Sequence, residues 1–155
     1  MNPKDYGDKF NEHLLEQYKL YVEMADNVSA RRSQTNTFYI TVLSGLLAVL
    51  SLAIENIPSE MQNTAFLAVA VLGLVLCIIW YINIRSYRQL NSGKFKVIHE
   101  MEGQLPYPCY DREWDILGRG KDSKGYFQLT RVEQFVPGLL AIPYVLLLVF
   151  ALCNV

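Results

Sequence analysis

Histidine and cysteine are scarce in this chain, with two of the first and three of the second among 155 residues. His99 is followed by Glu100 and Glu102, but neither it nor His13 has a second His or Cys at ligand spacing. No metal site within one chain is therefore expected. Cys77, Cys109 and Cys153 are odd in number and widely spaced, which argues against a disulfide framework. Cys77 and Cys153 fall inside apolar runs and read as small hydrophobes, leaving Cys109 as the one expected to react.

Catalytic patterns are missing too, since no Ser-His-Asp or Cys-His arrangement emerges. GRGKDSKG, residues 118–125, alternates glycines and lysines but lacks the four-residue gap before Gly-Lys-Ser/Thr that a phosphate loop requires. It reads as a basic loop touching anionic headgroups. Neither sign of charge is in excess, and a net charge of −1 gives no case for nucleic acid as a partner. The reading is of a protein that is not an enzyme and takes no cofactor and no metal. Internal repeats and low-complexity tracts are absent.

Charge is missing most conspicuously from three long stretches. Phe38–Ile54 runs for seventeen residues without one, enough at about 1.5 Å per residue to cross most of a bilayer's hydrocarbon. Residues 64–84 and 135–153 are two more such stretches. The fold class predicted is an all-α membrane protein with three transmembrane helices. To these are added an N-terminal amphipathic helix, a long cytoplasmic extension of the second span and a small irregular cytoplasmic cap. The leader before Phe38 is slightly acidic and has no basic n-region or cleavage site, so the first span is expected to stay in the mature protein.

Basic residues orient the spans. Arg31 and Arg32 precede the first. The connection ENIPSEMQN carries two Glu and no Lys or Arg. Arg85, Arg88, Lys94 and Lys96 follow the second span, and Arg119, Lys121, Lys124 and Arg131 precede the third. The positive-inside rule places the N-terminus in the cytoplasm and the C-terminus outside, with all fourteen basic residues on the cytoplasmic side. The expected segments are a cytoplasmic amphipathic helix over 1–36, spans over 37–55 and 64–84 joined by an external loop at 56–63, a cytoplasmic helical extension and loop region over 85–134, and a last span over 135–153.

In the N-terminal helix, Phe10, Leu14, Tyr18, Tyr21, Ala25, Val28 and Arg32 follow steps of three and four and form an apolar stripe. The polar face is acidic, whereas helices that lie on membranes are usually rich in Lys and Arg, so packing against a protein helix is favoured. Beyond the second span, Tyr87, Leu90, Lys94, Val97, Ile98 and Met101 mark one face of an extension ending at Gly103. Lys94, Lys96, Glu100 and Glu102 read as ordinary surface salt-bridging. Residues 104–134 read as irregular, with an extended piece at YFQLT. Trp80, Tyr81, Tyr107, Tyr110, Trp114, Tyr126 and Phe127 are expected to cluster at the inner interface.

No carboxylate, histidine or lysine lies within the three uncharged runs, which counts against an ion-coupled carrier but leaves a passive pore open. One pattern in the first span bears on this. Thr37, Thr41, Ser44, Ala48, Ser51 and Glu55 sit at steps of 4, 3, 4, 3 and 4, a single small and mostly hydroxylated stripe. Leu46, Leu47, Val49 and Leu50 cover much of the other side. The stripe reads first as a surface for close helix packing, and the sharper alternative is a line of residues facing the axis of a subunit ring. Ala65, Gly73 and Cys77 make a weaker small-residue line on the second span.

WYINIRSYRQLNSGKFKVIHEMEGQLP, residues 80–106, and EWDILGRGKDSKGYFQLTRVEQFVPGLL, residues 113–140, resemble the RipA-like family of small octameric bacterial membrane proteins. The resemblance implies a homo-oligomer of eight subunits in the bacterial inner membrane, with no established enzymatic activity and no catalytic or ligand-binding residues to carry over. The number eight comes from the resemblance alone. The reading is a non-enzymatic homo-oligomeric ring with a structural or passive channel-like role, its partners being copies of itself and the lipid bilayer. The alternative is a membrane-perturbing effector or signalling subunit with a cytoplasmic ligand- or partner-binding cap.

Overall fold

The computed structural model describes residues 6–120 and 132–154. Four α-helices carry them: α1 (Phe10–Ala53), α2 (Ser59–Glu102), α3 (Cys109–Ile116) and α4 (Val136–Cys153). No strand occurs among the described residues. Helices α1, α2 and α4 are each long and apolar enough to cross a membrane.

Local chemistry explains where the helices begin and end. Gly7 adopts a positive φ of 90°, and the Phe10 amide donates to its carbonyl, which turns the chain into α1. After Ala53 the helix tightens into a 3-10 turn, Ile54–Asn56, and Ile57 is extended, as a residue before proline tends to be. The Pro58 carbonyl then accepts from the amides of Met61 and Gln62 and starts α2. Gln62 seals this hairpin: its amide nitrogen donates to the carbonyls of Ile54 and Ile57 at 3.2 and 3.1 Å. Helix α2 stops where Gly103 follows Glu102.

The chain divides into two compact units, one from Met1–Arg31 and Tyr87–Gln128, the other from Arg32–Ser86 and Leu129–Val155, each taken over its described residues. The second unit holds the three spans. Its interior is Tyr39, Leu43, Cys77, Trp80, Ile84 and Tyr144, with Leu46, Leu74 and Leu140 packed around them. Large apolar side chains such as Leu52, Ile78 and Leu146 point outward. In water that would be an aggregation hazard, but in lipid it is the expected surface, because acyl tails are as apolar as leucine.

Helix α1 carries a ladder on its packed face in this unit, at Arg32, Asn36, Tyr39 and Leu43, again in steps of four, three and four. Arg32 pairs with Glu133 at 3.4 Å. Asn36 accepts from the Trp80 indole at 2.9 Å, and the Tyr39 hydroxyl accepts from Asn83 at the same distance. The rings of Tyr39 and Trp80 stack with an interplanar angle of 11°. At the top of the ladder, the Tyr144 hydroxyl donates to the Leu43 carbonyl at 2.5 Å. The Tyr144 ring lies directly over Gly73, where a Cβ would overlap it. Gly73 is what lets α2 and α4 come this close.

In the first unit, α1 and α2 pack through Ala25, Lys94, Ile98 and Glu102, all buried. Surface salt-bridging, expected for Lys94 and Glu102, is not what the structure has. The Lys94 ammonium lies 4.8 Å from the centre of the Tyr21 ring, and Glu102 is 1% exposed. Residues 109–116 also depart from expectation, forming a helix where the prolines pointed to turns. Beyond Pro108, CYDREWDI contains no further breaker, and Glu102 supplies a cap from outside the segment. The YFQLT piece, together with Tyr126 and Phe127, lies outside the described residues.

Candidate functional site

Two polar groupings stand out, one in each unit. The first is built on the buried Glu102 carboxylate. Oε1 accepts from the Tyr18 hydroxyl at 2.9 Å and from the Tyr110 amide at 2.8 Å, and Oε2 accepts from the Asp111 amide at 3.0 Å. The amides belong to the first turn of α3, where backbone N–H groups lack partners and the helix dipole favours negative charge. Three donors satisfy the carboxylate oxygens that burial removes from water. Burial, and then the bond to Glu102, raises the Tyr18 hydroxyl well above its ordinary pKa of 10.0. Burial also raises Tyr110. With its oxygens already engaged, Glu102 acts as a structural clamp on α3. At the other end of α3, the Arg119 guanidinium bonds to Asp115 at 2.5 Å and to Asp111 at 3.3 Å. The Arg119 bond holds the Asp115 carboxyl below its usual range.

The second grouping is the stripe of the first span. Thr37, Thr41, Ser44, Ala48, Ser51 and Glu55 are all exposed in the single chain, across α1 from the buried Tyr39 and Leu43. Thr37 donates to the Ser33 carbonyl at 3.1 Å. The hydroxyls of Thr41, Ser44 and Ser51 make no hydrogen bond among the described residues. Leu46, Leu47 and Leu50 are half-buried on the packed side, whereas Val49, expected with them, is 64% exposed. The single-residue offset from Leu50 turns Val49 by about 100° toward the outside.

The remaining residues singled out in the sequence are dispersed. Phe10, Leu14, Tyr18, Tyr21 and Val28 are half-buried on one face of α1. Ala65 is half-buried, Gly73 and Cys77 are buried. Cys109 and Cys153 are both exposed. Trp80 is buried among the three spans, while Tyr81 beside it is exposed. Of GRGKDSKG, residues 118–120 form a 3-10 turn with Arg119 at φ 50°, and the others lie outside the described residues. No group of His, Cys, Asp and Glu that could hold a metal ion occurs among the described residues.

Three apolar helices, a hydrogen-bonded interior and an outward-facing apolar surface define a polytopic helical membrane protein. A family model, the octameric membrane protein family (8xMP), matches residues 15–153. The chain belongs to that family, and the family's description implies self-assembly into a homo-oligomer. Searches of curated proteins and of solved structures return no match.

Proposed function

We propose that the protein is a non-enzymatic component of the bacterial cytoplasmic membrane that closes into a homo-oligomeric ring, with the Thr37–Glu55 stripe of α1 turned toward the shared axis or the neighbouring subunit. The role is structural or passively channel-like. The observation that carries this reading is the exposure of Thr41, Ser44 and Ser51, whose hydroxyls have no hydrogen-bond partner among the described residues. A hydroxyl facing acyl chains without a partner is costly, so this face is better suited to protein or water than to lipid. Membership of an octameric family supplies the copies that would cover it. The distribution of Lys and Arg supports a cytoplasmic N-terminus and an external C-terminus.

Native mass spectrometry of the detergent-solubilised protein tests the assembly. Eight copies are expected, and a monodisperse monomer contradicts the ring. An axis open to water further requires that planar bilayers containing the purified protein conduct.

A further inference from the structure

Outside the spans, the described residues cover the α1–α2 pair of the first unit on one side only. Tyr18, Phe95 and Glu102 lie on the side that carries α3, through the Glu102 bonds and a 5.6 Å contact of the Phe95 and Tyr110 rings. At about 100° per residue, Leu14, Gln17 and Tyr21 of α1 and Val97 and Met101 of α2 fall to the other side of the seam. There they line an open groove of about 470 Å³. Its margins are apolar as well: Leu20 is 58%, Met24 43% and Leu90 50% exposed. These positions lie beyond the uncharged runs, so acyl chains do not account for an apolar face here.

We infer that this groove is the receiving half of a head-to-tail contact between copies of the chain, and that the outer edge of α3 on the next copy fills it. The inference rests on the ring reading above. A ring built from identical subunits by head-to-tail contacts needs two different, complementary faces on each copy, and these faces must not coincide. The groove and α3 meet that condition, lying on either side of the α1–α2 seam. The α3 edge has an apolar group to insert in Ile116, 72% exposed, and Tyr107, just before α3, is 60% exposed. Charge is complementary too. Glu16 stands one turn before Leu20 on the groove margin, and Arg112 stands one turn before Ile116 on α3. Both are exposed and neither is in a salt bridge among the described residues, Arg112 acting on Asp115 of its own helix only through space. Seating Ile116 beside Leu20 brings Arg112 toward Glu16, which favours the correct neighbour and register.

Disulfide cross-linking in the intact assembly tests this. In a chain with Cys77, Cys109 and Cys153 replaced by Ala, Leu20→Cys and Ile116→Cys are introduced together and oxidised in membranes. A denaturing gel is expected to show a ladder of covalent multimers ending at the octamer. Each cysteine alone should leave monomers. Glu16→Arg or Arg112→Glu should reduce the ladder, and the two together should restore it. Absence of a ladder from a preparation that native mass spectrometry shows to be octameric overturns the docking proposal and leaves the ring standing. A monomeric preparation overturns both. Retention of the octamer with a different protein seated on Leu20, identified by photo-cross-linking there, also overturns the proposal.

Discussion

Replacing Gly73 by alanine probes the packing of the three spans at its tightest point. The new methyl group would overlap the Tyr144 ring. That ring has no room to yield, because it is fully buried and its hydroxyl is held by the Leu43 carbonyl of α1. Overpacking of this kind costs about 1–3 kcal/mol. If the ring swings away, its hydrogen bond is lost as well, worth about 0.6 kcal/mol and at most about 1.7 within a membrane protein. Gly73→Ala should therefore destabilise the bundle by about 2–4 kcal/mol, while Tyr144→Phe removes only the bond and costs about 0.6. Combining Gly73→Ala with Tyr144→Leu should cost less than the sum of the single changes, because the smaller side chain vacates the space. The coupling should exceed about 1 kcal/mol. Unfolding by SDS titration in mixed micelles, followed by the fluorescence of the buried Trp80 in a Trp114→Phe background, reads these differences. A Gly73→Ala variant within about 0.5 kcal/mol of the parent, or strict additivity in the cycle, would refute the close approach of α2 and α4.

Three further outcomes follow from the same geometry. Glu102→Gln replaces the charge that accepts from Tyr18 and from the first amides of α3, a loss of about 1.5–3 kcal/mol. Hydrogen exchange in residues 109–116 should quicken while the spans remain protected, and unchanged exchange would show that α3 does not depend on Glu102. Tyr18 keeps its proton longer when folded than when unfolded, so its contribution is complete below about pH 10 and declines as the pH rises further. Ultraviolet titration should show Tyr18 ionising after a freely exposed tyrosine, and Tyr18→Phe should lower the late component, which Tyr110 shares, by one tyrosine and leave the earlier ones unchanged. Trp80→Phe leaves Asn36 without its donor and creates a cavity, so it should cost about 3 kcal/mol, more than Tyr81→Phe on the exposed neighbour.

The spans were legible because lack of charge over some twenty residues is a local property, and the membrane reads it locally. The stripe of α1 is visible in the sequence for the same reason, since a helix turns by a constant angle. What that stripe meets is not a property of one segment, and Val49 falls outside the face expected for it. Partners supplied from elsewhere in the chain were not legible. Trp80 and Asn36 are 44 positions apart, and nothing in either segment announces the other. Glu102 looked like one more acid on an amphipathic surface, because its strongest partners are backbone amides, which no side-chain pattern records. Lys94 fits the same account: its neighbour is the face of Tyr21, 73 residues earlier, and a charged residue at helical spacing from other charges resembles a solvated one. Gly73 reads in the sequence as one more small residue, and its purpose is visible only with Tyr144 above it.

The central claim, that the hydroxylated face of α1 is turned inward in a ring, is tested most directly by a cysteine scan of that helix in intact membranes. In a chain without Cys77, Cys109 and Cys153, single cysteines at Thr41, Ser44, Ala48 and Ser51 are compared with cysteines at the exposed off-stripe positions Phe38 and Val49. A membrane-impermeant, polar thiol reagent is applied from outside. An open axis predicts labelling along the stripe with a period of three to four residues and protection at the lipid-facing pair. Equal protection at all six positions would contradict an aqueous axis and leave the stripe as a packing surface.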